Sequence, residues 1–567
     1  MFKKSHPLQS KSEIILRNIV VVAMVAFFTI FLIIPIGIAF AGSFHEWNPL
    51  SGTYKYLGLE NYKQVFTSKL FGKSMFNTVI FSVVVIVFRV GLGLGIAYAI
   101  YSTLIKHKSF FRAVYYMPVV TPMVAVAFVW KFMYNPQIGT INKIFGLDIN
   151  WLMNPKTALI AVMIMTIWKD FGYAVVMYMA GLYSLPADVM EAAQVDGASG
   201  WQKFRYITLP LLKPMTLFVV ITSIISYIQA YVQILIMTEG GPGTSTYLAS
   251  YIIYDEAFVK YNFGYASALS FVLFVITAVL TVLSFKVSGK EENIMRKKVS
   301  SIVLNVFLLL LGIVTVYPFI WMLCSSFKQN KEIMALQQHL LPQEFTIDNY
   351  ISMNSHFNFM RFFGNSLFIT IVVTLLVVYT STICGFVLSK YKFKGRNILF
   401  GFVLATMMIP WCVTIIPKYT MIQKFGWMDS YKALIIPAMF SGFGIFMMKQ
   451  HIETIPDEII EAARMDGANE FYIFHRIIFP MAKNGISSIA IFQFLWTWED
   501  YLWPYLVINT KEKQLLAVGL KMFNGQYSTD YGALFAATAI SIIPVLLIYL
   551  FFQKQFIAGI AASAVKG

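Results

Sequence analysis

The chain has 567 residues, of which 58% are hydrophobic and only 13% charged, and its mean hydropathy is +0.68. An ordinary soluble protein carries about 25% charged residues, so the composition excludes that class and indicates an all-α, polytopic membrane protein. The net charge of +17 does not indicate a nucleic-acid partner, because many basic residues lie in short clusters between apolar runs. Such clusters orient helices and contact anionic membrane lipids.

Apolar runs long enough to cross a hydrocarbon core of about 30 Å recur along the chain. They predict about 12 transmembrane helices, six in each half. The predicted spans of the first half are 18–42, 75–103, 111–134, 157–183, 215–238 and 265–287. Those of the second half are 301–323, 365–388, 397–417, 431–450, 484–508 and 532–556.

A short polar segment divides the chain into residues 1–290, a cytoplasmic linker at 291–300, and residues 301–567. Met295, followed by three basic residues, looks like the start of a second protein. A gene fusion would give this appearance. Six spans is an even number, so both halves are expected to insert in the same orientation, as parallel repeats. The basic loops predict that both termini are cytoplasmic.

One polar motif occurs twice, 270 residues apart, each time between two predicted spans. Detailed repetition on one face of a two-fold protein predicts a docking surface for two identical partners. The repeated residues are Glu191, Ala192, Ala193, Asp196 and Gly197 in the first copy, and Glu461, Ala462, Ala463, Asp466 and Gly467 in the second.

The local signals of each copy predict a helix, a turn and a second helix. In the first copy Ser184 is expected to cap the first helix, with Pro186 in its first turn, and Gly197 to end it. Ser199 is expected to cap the second helix, which runs to Pro210. The corresponding residues of the second copy are Thr454, Pro456, Gly467, Asn469 and Pro480.

The string EAA-x-x-DGA followed by F-x-x-I-x-x-P resembles the cytoplasmic loop of the permease subunits of binding-protein-dependent ABC importers. The first half is similar to the maltose-type F permeases of carbohydrate importers, for example at Thr238-Glu-Gly-Gly-Pro242 and Phe263-Gly-Tyr-Ala-Ser-Ala-Leu-Ser270. The second half is similar to the G permeases, for example at Trp498-Glu-Asp-Tyr-Leu-Trp-Pro504. The resemblance covers nearly the whole chain.

The resemblance implies a type I ABC importer in a bacterial cytoplasmic membrane. Each EAA helix would be a coupling helix seated in an ABC ATPase subunit, with Glu191, Gly197, Glu461 and Gly467 at the positions matched to the family. Two ATPase subunits would carry ATP and Mg²⁺, so no cofactor is expected in this chain. An extracytoplasmic solute-binding protein or lipoprotein would deliver a sugar or oligosaccharide. Family members usually pair two separate permease chains, whereas this chain carries both halves.

Ionisable residues inside spans are costly and are therefore functional candidates. Sugars bind through aromatic faces and through polar groups that bond their hydroxyls. The predicted substrate contacts are Asp170, Tyr173, Tyr227, Gln229, Tyr231 and Glu499. The alternative for the tyrosines is contact with lipid or ordinary packing, and for the two carboxylates it is an internal ion pair or hydrogen bond.

Three other functions agree less well with the sequence. An importer of glycerol 3-phosphate should have a basic pocket, but the central spans show Lys169 and no arginine pair. A secondary transporter with twelve helices could use Asp170 as its coupling carboxylate, but the duplicated loop would then have no role. The third is a membrane scaffold or enzyme without transport. No catalytic constellation, metal-binding cluster or GxxxxGK[ST] phosphate loop stands out in the sequence, so an enzyme is not expected.

Overall fold

The computed structural model describes residues 11–102, 105, 107–287, 301–337, 339–356, 358–523 and 530–564. The proposed linker at 291–300 lies outside these residues. The described chain is mainly helical, which confirms the all-α membrane fold. Its only sheet in the described ranges is a hairpin of two antiparallel strands, His45–Asn48 and Thr53–Tyr56.

Long helices follow one another in both halves. Those of the first half are Lys11–Phe28 continued by Ile34–Gly42, Lys69–Tyr101, Lys108–Tyr116, Met123–Met133, Ala158–Tyr183, Lys213–Ile228 with Val232–Met237, and Phe263–Val287. Those of the second half are Ser301–Ser325, Phe359–Lys390, Arg396–Met408, Trp411–Lys424, Lys432–Ile435 with Gly442–Glu453, Lys483–Glu499 with Leu502–Val507, and Tyr531–Ala564.

Shorter helices lie between the long ones. The repeated motif forms Ala187–Val195 and Gly200–Leu211 in the first half, and Asp457–Met465 and Glu470–Met481 in the second. Connecting segments contain Glu60–Thr67, Thr140–Phe145, Ala249–Tyr254, Asn330–Ile333, Asp348–His356 and Leu516–Lys521.

Eight helices among the described residues are long and apolar enough to cross a membrane, or up to 11 if each of three bent pairs is counted as one span. The predicted span 111–134 is not continuous, because Pro118 and Pro122 separate Lys108–Tyr116 from Met123–Met133. Proline has no backbone N–H and disfavours the helical conformation of the residue before it.

Three further predicted spans are interrupted. The span 397–417 ends at Met408, before Pro410, and the chain continues at an angle of 95° in Trp411–Lys424. The span 215–238 is broken at 229–231, and the span 484–508 at 500–501. The prediction of one continuous helix at each of these places is therefore wrong, because hydropathy does not show where an apolar run stops being helical.

Each half packs its first helix against the other half. Leu16 and Val20 of the first helix share a buried cluster with Val373 and Val377 of Phe359–Lys390. In return, Ser301–Ser325 packs on Lys108–Tyr116 of the first half. The two halves therefore exchange their first helices across the interface.

Small residues bring helices into close contact at two related places. A Cβ atom added at Gly93 would lie 2.4 Å from the Cβ of Ala174, and one added at Gly385 would lie 2.7 Å from the Cβ of Met448. Helices in membranes associate through such close backbone approach. In each half, the long second helix is thereby held against the helix that leads into the repeated motif.

Candidate coupling segments and substrate path

The two repeated segments, residues 187–211 and 457–481, fold alike; we call them the coupling segments. In each, the first helix ends in a turn whose glycine has left-handed backbone, with φ of +73° at Gly197 and +82° at Gly467. Ala198 donates its N–H to Ala193 and Ala468 donates to Ala463, which completes a Schellman motif in each copy. The expected helix, turn and helix are confirmed in both.

The caps of the second helices are also confirmed. Ser199 accepts a hydrogen bond from the N–H of Gln202 at 3.3 Å, and the Gln202 side chain accepts one from the N–H of Ser199 at 2.7 Å. This reciprocal pair is a capping box. Asn469 accepts from the N–H of Tyr472 at 2.8 Å.

The predicted caps of the first helices are wrong. The hydroxyl of Ser184 donates to the carbonyl of Gly181, and that of Thr454 donates to the carbonyl of His451, each at 2.8 Å. Both hydroxyls satisfy the last carbonyls of the preceding span, because that span ends only at these residues. The helices that follow begin after Pro186 and Pro456, with no side-chain cap.

Both coupling segments expose the same set of side chains. Glu191, Ala192 and Asp196 are exposed, as are Glu461, Ala462 and Asp466, while Ala193 and Ala463 are buried beneath them. The matched apolar residues Val195 and Met465, beside the turns, are each 88% exposed. A single exposed apolar side chain needs no explanation, but here the same exposure recurs at matched positions of the two copies.

The two coupling segments are held differently. The first is anchored by Tyr98, which donates to the carbonyl of Gly200 at 3.2 Å and packs against Phe204 with ring centres 4.4 Å apart.

The second coupling segment is anchored by an ion pair whose carboxylate, on Glu470, is buried. The carboxylate of Glu470 accepts from Arg464 at 2.6 Å and from the hydroxyl of Tyr391 at 2.7 Å. Burial, together with this carboxylate, raises the pKa of Tyr391, so its hydroxyl remains a donor. Arg464 also lies 3.6 Å from Glu13, which belongs to the first helix of the other half.

Three of the predicted substrate contacts lie in a buried polar cluster of the first half. Tyr227 donates to Asp170 at 3.0 Å. The guanidinium of Arg89 lies over the rings of Tyr173 and Tyr227, at 4.8 and 5.5 Å, and donates to Ser223 at 3.1 Å. Sequence reasoning missed Arg89, although a single arginine within the apolar run 69–101 is itself a signal of function.

Glu499 forms an ion pair between the two halves. Its carboxylate lies 3.4 Å from the ammonium of Lys169, whose side chain is 5% exposed. Lys169 also donates to the carbonyl of Val119 at 3.1 Å. Of the two interpretations of Glu499, the structure thus contains the internal ion pair.

Gln229 and Tyr231 lie where the fifth span is interrupted, and both contact the second half. Gln229 accepts two hydrogen bonds from Trp411, one from its backbone N–H at 3.2 Å and one from its indole at 3.3 Å. The ring of Tyr231 lies 4.4 Å from that of Trp411. The break at 229–231 therefore faces the bend that follows Met408.

A cavity of about 380 Å³ opens at this junction. Three interrupted spans contribute to it, which fits the rule that non-helical backbone at membrane depth is tolerated where it lines a cavity. Tyr231 is the one predicted substrate contact in its wall. The lining includes Tyr231, Trp411, Thr414, Lys418, Gln493, Trp496, Thr497, Asp500 and Trp503.

The helical repeats and the duplicated coupling segments define a membrane permease built from two related halves. Residues 90–288 and 378–561 each match the family described as binding-protein-dependent transport system inner membrane component. The chain belongs to this family and contains its domain twice. It is therefore a multi-pass permease of a binding-protein-dependent ABC importer, and the resemblance seen in the sequence is confirmed.

Its relatives are permeases about half as long. The arabinooligosaccharides transport system permease protein AraQ of Bacillus subtilis is 34% identical over 269 residues, which make up 47% of this chain and 96% of the relative. The diacetylchitobiose uptake system permease protein NgcG of Streptomyces coelicolor is 30% identical over 266 residues, or 46% of this chain and 88% of the relative. A solved bacterial ABC transporter involved in the import of the acidic polysaccharide alginate matches 46% of this chain and 100% of its own, with 24% identity and a TM-score of 0.41.

Proposed function

We propose that the chain imports a sugar or oligosaccharide, with energy from two ABC ATPase subunits that bind its two coupling segments. The observation that carries the proposal is the pair of matching Schellman turns, each with an equally exposed apolar residue at its edge, Val195 and Met465. Two identical ATPase subunits would find the same surface on each half. ATP and Mg²⁺ would be held by those subunits, and both coupling segments and both termini would be cytoplasmic.

The geometry supports a path from the coupling segments to the membrane interior. The helix Gly200–Leu211 leads into Lys213–Ile228 at a bend of 61°, and Glu470–Met481 leads into Lys483–Glu499 at 77°. These two spans end at the interruptions that border the cavity. A rigid helix would therefore transmit a displacement of either coupling segment to the junction between the halves. This displacement would switch the two halves between inward-facing and outward-facing states.

The sugar assignment is supported by the relatives, two of which are named for arabinooligosaccharides and diacetylchitobiose. A binding protein outside the membrane would deliver the saccharide. An anion such as glycerol 3-phosphate is less well supported, because Lys169 is paired with Glu499 and Arg89 lies beside the Asp170 carboxylate in the same cluster. The six predicted substrate contacts stay a prediction, which measuring the uptake of a defined sugar would test.

The test is reconstitution of the chain in proteoliposomes with the ATPase and the binding protein that co-purify with it. We expect two ATPase copies per chain, and uptake of radiolabelled arabinotriose or diacetylchitobiose that requires ATP. Glycerol 3-phosphate is the comparison solute. Uptake driven by an ion gradient without an ATPase, or uptake of glycerol 3-phosphate alone, would contradict the proposal.

A further inference from the structure

The cavity at the junction of the interrupted spans offers a binding site that differs from the one predicted from the sequence. We propose that this cavity binds the end of an uncharged saccharide, and that the second half supplies most of the contacts. The inference rests on the proposed function, since it names the site and the class of substrate. Trp411, Lys418, Trp496 and Asp500 all belong to the second half, and only Tyr231 comes from the first.

Aromatic side chains form much of the wall. Tyr231 and Trp411 lie side by side, with ring centres 4.4 Å apart. Trp496 is 49% exposed, although its helix Lys483–Glu499 is a span. Flat, polarised ring faces suit the C–H surface of a sugar, and apolar walls with a few polar groups are typical of ligand cavities.

The polar groups of the cavity have unused hydrogen-bonding capacity. Asp500 accepts one long hydrogen bond, from the N–H of Trp503 at 3.4 Å. Lys418 makes no hydrogen bond or ion pair within the described part of the chain. Gln493 donates to Thr497 at 3.0 Å, which leaves its carbonyl oxygen available. Ionisable groups at membrane depth are costly without partners, and sugar hydroxyls can both donate and accept.

The charges of the cavity favour a neutral ligand. One carboxylate, on Asp500, and one ammonium, on Lys418, line the same space. The Asp500 carboxylate would repel an anionic solute, and the Lys418 ammonium would repel a cationic one. Hydroxyl groups of an uncharged ring can bond to both.

The polar residues of the first half are engaged with one another instead. Asp170 is bonded to Tyr227, and Arg89 lies over the rings of Tyr173 and Tyr227. None of these four residues lines the cavity. A sugar could bind to this cluster only if internal hydrogen bonds were broken. The polar groups of the cavity, in contrast, have free hydrogen-bonding capacity.

The size of the cavity limits how much of a substrate it holds. Ligand cavities in proteins range over about 300–1,000 Å³, and this one, at about 380 Å³, is near the lower limit. It therefore accommodates one end of an oligosaccharide, and a longer chain must extend away from it.

The first experiment compares uptake by variants reconstituted with their ATPase and binding protein. Trp496→Ala removes an exposed wall residue, and Asp500→Asn removes an acceptor charge without changing shape. We expect each to lower the uptake rate of arabinotriose or diacetylchitobiose about tenfold. Phe368→Ala is the matched control, because Phe368 is a 53% exposed aromatic residue of the same half that does not line the cavity.

The outcomes separate this inference from the proposed function. If the parent takes up sugar and both cavity variants match it, the site is elsewhere and the inference is overturned while the function stands. If the parent takes up neither sugar, the proposed function fails and the inference fails with it. Uptake of an anionic alginate trisaccharide in preference to both sugars would overturn the neutral-ligand assignment.

Photolabelling locates the site independently of transport. Diazirine derivatives of arabinotriose and diacetylchitobiose are cross-linked to the reconstituted chain, and the labelled peptides are identified by mass spectrometry. We expect labels within 411–418 and 493–503 that are lost when unmodified sugar competes. Competed labels confined to 158–183 and 213–228 would place the site in the first half and overturn the inference.

Discussion

Gly197 and Gly467 are required by backbone conformation and not by lack of space. Both have positive φ, and nothing lies within 4 Å of where a Cβ atom would be. Any other residue is strained in this conformation, although asparagine is tolerated better than most. The turn between the helices of each coupling segment therefore depends on one torsion angle, and its response to substitution is predictable.

Replacing both glycines with alanine is expected to strain each turn by about 1–2 kcal/mol, because alanine disfavours left-handed backbone. ATP-driven sugar uptake should fall about fivefold or more, and proline at both positions should abolish it. The same substitutions with asparagine should retain most of the uptake. The measurement is uptake in proteoliposomes, normalised to the amount of chain inserted.

Gly200→Ala is the matched control, since Gly200 lies in the same coupling segment, has open space beside it and has no positive φ. It should leave uptake unchanged. Full uptake by the double proline variant at normal expression would show that the turns do not couple the chain to an ATPase.

The sequence predicts these turns well and the substrate path less well. The turn is local, so Asp-Gly followed by a capping Ser199 or Asn469 is enough to predict it. The partners of Asp170, Tyr227 and Glu499 come from other helices, and no local pattern states which carboxylate meets Lys169. Arg89 was visible as the single arginine of an apolar run, but the residues that it contacts were not.

The connecting segments also contain organised contacts that hydropathy does not reveal. Asp429, in left-handed backbone at φ 58°, joins the segment 425–431 to the segment 508–513. Its carboxylate accepts from the hydroxyl of Thr510 at 2.5 Å, from the N–H of Asn509 at 3.0 Å and from Lys513 at 2.9 Å. Burial acts to raise the pKa of Asp429, but these hydrogen bonds outweigh it and hold the pKa well below its ordinary value of 3.8.

A carboxyl group with a depressed pKa stabilises the fold above its ordinary pKa, and this contribution is lost as the pH falls towards the native value. We expect hydrogen-exchange protection of the peptides covering 508–513 to be constant down to about pH 4 and to decline below it. Asp429→Asn tolerates the left-handed backbone and should give low, pH-independent protection.

The measurement is hydrogen exchange, corrected for the intrinsic effect of pH. Asp348→Asn serves as a control, because it removes a carboxylate from another connecting segment. If protection in 508–513 is the same at pH 5 and pH 3 in the parent, the Asp429 carboxylate does not hold the two segments together.

Prolines account for some interrupted spans and not for others. Pro118, Pro122 and Pro410 lie at breaks that the sequence allows one to predict, because proline has no backbone N–H to continue a helix. Ile409, the residue before Pro410, is also extended, as expected before a proline. The break at 229–231 contains no proline and depends on Trp411 of the other half, to which Gln229 is bonded. An interruption of this second kind depends on contacts with a distant part of the chain, so a hydropathy profile cannot predict it.

The arrangement of the two halves is likewise predictable only in part from the sequence. Repetition in the sequence predicts two related units, and the relatives, each matching about half of the chain, support that division. The exchange of first helices was not predictable, because each is an apolar run with no signal for its partner. In the structure, Leu16, Val20 and Met24 pack in a buried cluster with apolar residues of the second half.

This exchange predicts that the covalent link is dispensable for assembly. Residues 1–290 and 291–567, expressed as separate chains in one cell, should co-purify through a tag on either half and support ATP-driven uptake. The physical reason is that Lys11–Phe28 buries its apolar face on Phe359–Lys390, while Ser301–Ser325 packs on Lys108–Tyr116. A half that is expressed alone exposes the apolar surface on which the other half's first helix would pack. We therefore expect each half alone to be degraded.

A first half that begins at residue 45 is the informative control. It lacks the helix that packs on the second half and the Glu13 carboxylate near Arg464, but it keeps the Lys169 side of the ion pair with Glu499. If helix exchange holds the halves together, this shortened half should recover far less of its partner than the full first half does. Equal recovery would show that contacts around the junction, rather than the exchanged helices, determine assembly.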